Sequence, residues 1–115
     1  MLDSGGYRYA RMEKLPVTQR EVFERQLEIL NGRPGVVFQL DFPLLPTLTR
    51  REMNERIETT LENADRLMSY MNKPSITAMG IIQGYDKISL INCITKLREI
   101  GYTHMALGGL AKASL

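Results

Sequence analysis

The residues of this chain that could carry chemistry stand at the ends of short apolar runs. Asp3 follows the apolar residue of "LDSGGY", and Asp41 closes the run "VVFQLD". A third run ends in Gln83, and a fourth ends in the glycines of "ALGGLA". A carboxylate accepts hydrogen bonds from ring N–H and amino groups, and a carboxamide both donates and accepts. These residue types therefore favour a site for the polar edge of a purine-like base.

Glycines and tyrosines accompany the polar residues at these places. Gly84 follows the glutamine, and Gly108 and Gly109 close the last run. Residues without a side chain let a ligand approach the backbone N–H groups closely. Tyr7 and Tyr85 offer flat faces on which a planar ligand can stack. Taken alone, each of these residues also fits a turn or a packing role, so only their coincidence at four successive places favours a site.

Three amphipathic helices separate the apolar runs, and we predict them at 18–32, 49–72 and 86–101. Thr18 and Thr49 each precede a glutamate by three residues, as in a capping box, and Asp86 caps the third helix. The apolar faces that we expect to point inward consist of Val22, Phe23, Leu27 and Leu30; of Met53, Ile57, Leu61, Ala64, Met68 and Met71; and of Ile91, Ile94 and Leu97.

The alternation of strands and helices predicts an α/β fold. Strands that end near residues 2, 41, 84 and 109 are apolar without clean alternation, as in parallel strands covered on both faces. Repeated βαβ units form either an open doubly wound sheet or part of a (β/α)8 TIM barrel, and both bind ligands at the carboxyl ends of the strands. A complete barrel takes about 250 residues. Residues 1–115 are therefore expected to form one domain, with the size of about half a barrel.

Composition excludes several other classes of protein. The chain is 43% hydrophobic and 24% charged, which argues against disorder. It has neither an apolar run of membrane-spanning length nor a signal peptide, so we expect a cytoplasmic protein without a membrane partner. Cys93, the single cysteine, lies in an apolar helical pattern and is expected to be a buried thiol. With His104 as the single histidine, the chain lacks the ligands of a structural zinc site.

Four motifs make the chain similar to a known family. "LDSGGY", "LD" after an apolar strand, "GIIQG" and "ALGGLA" occur in the order found in tRNA-guanine transglycosylases, the queuine and archaeosine tRNA-ribosyltransferases. The resemblance covers nearly the whole chain. It implies a TIM barrel that replaces guanine in tRNA by a 7-deazaguanine, and it implies that this chain corresponds to a middle piece of that barrel.

The resemblance also implies roles for the residues at the strand ends. Asp3 would be the catalytic general acid/base near the reacting base, and Tyr7 would stack on that base. Asp41, Gln83 and Gly109 would hydrogen-bond to the edge of the base, with Ser4 and Leu110 nearby. The strand-end pattern adds Gly84 and Gly108 to this rim.

The implied reaction needs residues that this chain does not match. A carboxylate attacks the anomeric carbon of the ribose, guanine leaves, and a covalent glycosyl–enzyme intermediate forms. In the family the aspartate nucleophile lies on a later strand, and zinc ligands lie later still. We therefore expect the 115-residue chain alone to be inactive in base exchange and to bind no cofactor.

Other interpretations stay open at this point. After Asp41 the chain has Phe42, Pro43 and Leu44 where the family usually has Glu-Cys-Thr, which leaves open a paralogue that inserts a deazaguanine into DNA. A non-catalytic subunit that binds a base or a partner is a further alternative. Because half a barrel has two unpaired edges, we expect it to pair with missing barrel segments or with a second copy in a homodimer.

Overall fold

Three helices and three strands alternate along residues 11–108, the part of the chain that the computed structural model describes. Each predicted cap begins its helix, because Thr18, Thr49 and Asp86 all accept a hydrogen bond from the backbone three residues later. The predicted strand that ends at Leu2 lies outside the described residues. The elements are α1 (Gln19–Leu30), β1 (Gly35–Phe38), α2 (Arg50–Tyr70), β2 (Ile76–Ile82), α3 (Lys87–Ile100) and β3 (Met105–Leu107).

The strands form one parallel sheet in the order β1-β2-β3. Side chains from all three helices pack into one cluster with residues of β1 and β2, so the helices share one face of the sheet. Strands in sequential order with helices on a single face are typical of a barrel, whereas a doubly wound sheet reverses its strand order and is covered on both faces. The structure thus confirms the predicted α/β fold and agrees with part of a barrel.

One stripe of α3 differs from the sequence prediction. Leu97 and Ile94 contact the core cluster as expected. Ile91, however, is 59% exposed, so the prediction that it faces inward was wrong. The buried stripe of α3 instead consists of Leu90, Cys93 and Leu97, whose three- and four-residue spacing keeps them on one helix face. The buried residues of the cluster are Val37, Ala64, Leu67, Ala78, Ile82, Leu90, Cys93, Leu97 and Tyr102.

Two glutamines of α1 cover the edge of β1 that faces away from β2. Gln26 Oε1 accepts from the N–H of Phe38 at 3.1 Å, and Gln19 Oε1 accepts from the N–H of Leu40 at 2.6 Å. Both glutamines are buried. Among residues 11–108, these side chains thus satisfy two backbone N–H groups on that edge of the strand. Within residues 11–108 no helix has the length and apolarity needed to cross a bilayer.

Candidate functional site

Asp41 and Gln83 meet where β1 and β2 end. Gln83 Nε2 donates a hydrogen bond to Asp41 Oδ2 at 3.0 Å, across 42 positions of sequence. Gln83 is fully buried, and Asp41 is 9% exposed. Because β1 and β2 are adjacent and parallel, residues just beyond their carboxyl ends come to lie side by side. The structure therefore brings together two of the side chains that the sequence analysis placed on one rim.

A threonine of α2 connects this pair to the backbone. Thr60 Oγ1 accepts from the N–H of Phe42 at 2.9 Å and donates to Gln83 Oε1 at 3.3 Å. Thr60 is fully buried. A hydroxyl has one proton to donate, and here the glutamine oxygen receives it. The carboxamide of Gln83 therefore has its oxygen toward α2 and its nitrogen toward Asp41.

Thr60 belongs to a polar stripe of α2 that holds the chain around Asp41. Arg56 Nη1 donates to the carbonyl oxygen of Pro43 at 2.7 Å, and Asn63 Nδ2 donates to that of Leu40 at 3.3 Å. The spacing of four and three residues puts all three side chains on one helix face. They bind the backbone on both sides of Asp41, so α2 fixes the position of this carboxylate.

The amphipathic pattern of α2 did not predict this stripe, because such a pattern places polar residues toward solvent. The apolar face that it predicted does contact the cores, with Met53 and Ala64 buried. Arg56 is nevertheless buried too, with its guanidinium carbon 3.9 Å from the centroid of the Phe42 ring, and burial lowers its pKa. The contacts with the Phe42 ring and with the carbonyl oxygen of Pro43 hold this buried guanidinium in place.

Gln39 is a second buried polar residue that the sequence pattern did not predict to belong to the site. It is fully buried; its Nε2 donates to the carbonyl oxygen of Thr60 at 2.5 Å, and its Oε1 accepts from the N–H of Ile81 at 2.8 Å. It thereby ties α2 to β2 close to Gln83. The available signal was a glutamine inside an otherwise apolar run, since such a side chain must find partners when it is buried.

The glycines of the rim make close contacts with protein atoms. A Cβ on Gly84 would lie 2.8 Å from Leu90 Cγ, and one on Gly108 would lie 2.8 Å from Ile81 Cγ2 and 3.3 Å from Gln83 Cγ. Neither glycine has a positive φ. Their small size, rather than their backbone freedom, lets α3 and the end of β3 approach the tip of β2.

Tyr85 lies against α2. Its hydroxyl donates to Asn54 Oδ1 at 2.8 Å, and the guanidinium carbon of Arg50 lies 5.0 Å from its ring centroid. The ring also packs beside Leu44 and Met53. These contacts support the packing role that the sequence analysis weighed against stacking on a ligand. Five predicted site residues lie outside the described residues, and their roles stay predictions: Asp3, Ser4, Tyr7, Gly109 and Leu110.

Cys93 is the buried thiol that its helical pattern predicted. Its Sγ accepts from the N–H of Gln83 at 3.4 Å and faces the carbonyl oxygen of Ile81 at 3.9 Å. His104 is exposed, and its Nδ1 lies 3.0 Å from the hydroxyl of Thr103. From residue 11 to residue 108 no three His, Cys, Asp or Glu side chains cluster as potential metal ligands.

We expect Cys93 to resist alkylation in the folded protein. Burial raises the pKa of this thiol, and the thiolate is the reactive form. Iodoacetamide at pH 7.5, followed by mass spectrometry, should leave native protein unmodified and should label it fully in urea. Rapid labelling without urea would contradict the buried environment.

Two curated proteins match the sequence. The tRNA-guanine(15) transglycosylase of Korarchaeum cryptofilum is 29% identical over 115 residues, which cover 98% of this chain and 19% of that protein. The tRNA-guanine(15) transglycosylase of Methanobrevibacter smithii is 30% identical over 86 residues, which cover 73% of this chain and 13% of that protein. No family model matches the chain. The chain thus spans less than a fifth of these relatives, and the resemblance to tRNA-guanine transglycosylases that its motifs predicted is confirmed at the level of sequence.

Proposed function

We propose that this chain supplies the base-recognition rim of a transglycosylase that exchanges guanine in tRNA for a 7-deazaguanine. The observation that carries the proposal is the contact between Asp41 and Gln83 at two adjacent strand ends. In parallel α/β folds this edge of the sheet is where ligands bind. The names of the two relatives support the same reaction class.

The chemistry of the pair fits the six-membered ring of guanine. The carboxylate of Asp41 accepts hydrogen bonds from N1–H and from the 2-amino group. Gln83 Nε2 has two hydrogens, of which one goes to Asp41, and the other donates to the 6-oxo oxygen. A 7-deazaguanine differs from guanine in the five-membered ring and keeps this edge unchanged. One site therefore serves both the leaving and the incoming base.

The burial of Gln83 and Asp41 limits how a base can reach them. Gln83 is fully buried and Asp41 is 9% exposed. A base that docks on the rim reaches the pair only by displacing groups that cover it in this structure. A hydrogen bond made in such a water-poor place discriminates strongly, because a ligand without the matching group leaves a buried polar atom unpaired.

The remaining roles follow from the resemblance and belong to this proposal. Asp3 exchanges a proton with the leaving and incoming base, and Tyr7 stacks on it. The attacking carboxylate of the glycosyl–enzyme intermediate and the zinc ligands belong to parts of the barrel that this chain does not match. Since both relatives are named for tRNA, we favour tRNA over DNA as the polymer and the cytoplasm as the compartment.

Equilibrium dialysis of the 115-residue chain against radiolabelled guanine tests the proposal. We expect saturable binding that unlabelled 7-deazaguanine competes away and adenine does not, because adenine lacks the N1–H and the 6-oxo group. No saturable binding, or equal competition by adenine, would refute the proposed recognition. A parallel assay of labelled-guanine incorporation into tRNA should show no turnover by this chain alone.

A further inference from the structure

We propose that Thr60 is a positioning residue that sets the specificity of this site for a 6-oxo purine over a 6-amino purine. It acts through Gln83, whose carboxamide it holds with the nitrogen available to the ligand. The inference rests on the proposed function, because it assumes that a purine docks on the rim formed by Asp41 and Gln83.

The hydroxyl of Thr60 has a single proton to donate. The oxygen of this hydroxyl accepts from the N–H of Phe42 at 2.9 Å, which leaves the proton for Gln83 Oε1 at 3.3 Å. The glutamine oxygen therefore receives a donor from α2. In the amide orientation of the structure, the group of Gln83 that remains for a ligand is an N–H donor.

The reversed orientation of the Gln83 amide would be less favourable. Turning the carboxamide over would place Gln83 Oε1 where Nε2 now lies, 3.0 Å from Asp41 Oδ2, so two acceptors would face each other. It would also place the NH2 group where the Thr60 hydroxyl now donates. Thr60 and Asp41 thus favour the same orientation from opposite sides of the amide.

A second buried glutamine, Gln39, binds the backbone of Thr60. Gln39 accepts from the N–H of Ile81 on β2 and donates to the carbonyl oxygen of Thr60 on α2. The hydroxyl of Thr60 in turn donates to Gln83, which follows the end of β2. The contacts form a closed ring between strand and helix. Because all three polar side chains of this ring are fully buried, water does not compete for them, and the hydroxyl contacts two protein groups, Phe42 N–H and Gln83 Oε1.

The ring has a chemical consequence for ligand choice. A 6-oxo purine offers an acceptor to the N–H of Gln83, whereas the amino group of adenine would place a donor against a donor. If the carboxamide could turn over, its oxygen would accept from that amino group and part of the discrimination would disappear. Discrimination against adenine therefore depends on Thr60 of α2 as well as on Gln83.

Two substitutions that differ in the hydroxyl test this. Thr60→Val keeps the shape and removes the hydroxyl, and Thr60→Ser keeps the hydroxyl. The assay is equilibrium dialysis with labelled guanine and competing adenine. Thr60→Val should weaken guanine binding about tenfold, which is the size expected for one buried hydrogen bond. It should also lower the ratio of guanine affinity to adenine affinity. Thr60→Ser should keep both values. Circular dichroism verifies the fold, and Thr60→Ala replaces the valine variant if that does not fold.

A readout without a ligand separates this inference from the proposed function. Hydrogen exchange of the Gln83 side-chain amide, followed by NMR, should be slow in the wild-type chain and in Thr60→Ser, and faster in Thr60→Val. An unchanged exchange rate or an unchanged guanine-to-adenine ratio in Thr60→Val would overturn the inference while wild-type guanine binding upholds the proposed function. Wild-type protein that binds neither base would overturn the proposed function and the ligand specificity with it, whatever the exchange rates show.

Discussion

Replacing Leu97 with alanine is expected to lower the free energy of unfolding by about 2–5 kcal/mol. Leu97 is fully buried in the cluster through which the helices pack on the sheet. Its side chain reaches β2, since a Cβ on Gly80 would lie 3.3 Å from Leu97 Cδ2. The truncation removes apolar contacts and leaves a cavity beneath the strand whose end places Gln83. Urea unfolding followed by circular dichroism measures the loss.

Ile91→Ala, on the same helix, is the matched control. Ile91 is 59% exposed, and we expect its truncation to change the free energy of unfolding by less than about 0.5 kcal/mol. A large loss for Ile91→Ala with a small one for Leu97→Ala would mean that α3 buries a different face. That outcome would restore the inward face that the sequence pattern predicted.

Leu97 and Ile91 illustrate the difference between features that nearby sequence determines and features that tertiary packing determines. Helix starts were predicted correctly because a cap such as that of Thr49 needs only a glutamate three residues later. The buried face of α3 was predicted less well, because apolar residues surround much of this helix and Ile88 and Ile91 compete with Leu90 for the interior. Packing against β2 and α2 determines which face of α3 is buried, and a short stretch of sequence does not contain this information.

The candidate site also contains residues that the sequence predicted and residues that it did not. Asp41 and Gln83 were predicted because each closes an apolar run of the sequence, and parallel strands bring their ends together. Thr60 and Gln39 were not, because neither stands at the end of an apolar run: Thr60 lies in the middle of α2, and Gln39 lies inside the run that Asp41 closes. A buried polar network depends on how helix and strand are placed, so residue types alone did not reveal it.

Replacing Asp41 with asparagine is expected to weaken guanine binding about 10- to 100-fold, the range for hydrogen bonds to a charged group. Asparagine has the same size, and its oxygen can still accept from Gln83 Nε2. It loses the charge, and its NH2 group cannot accept from guanine. Equilibrium dialysis measures the affinity, and thermal unfolding shows whether the fold is kept. Asp65→Asn, an exposed position on α2, should leave the affinity unchanged.

A second ligand makes the role of Asp41 more specific. Hypoxanthine keeps the 6-oxo group and N1–H of guanine but lacks the 2-amino group, so it offers the carboxylate one donor fewer. Asp41→Asn should therefore weaken the binding of hypoxanthine by a smaller factor than the binding of guanine. Equal losses for both bases would mean that the carboxylate does not contact the 2-amino group. Unchanged guanine affinity in a folded variant would mean that Asp41 only fixes the strand end through Gln83, and would contradict the base-recognition role that the proposed function gives to this pair.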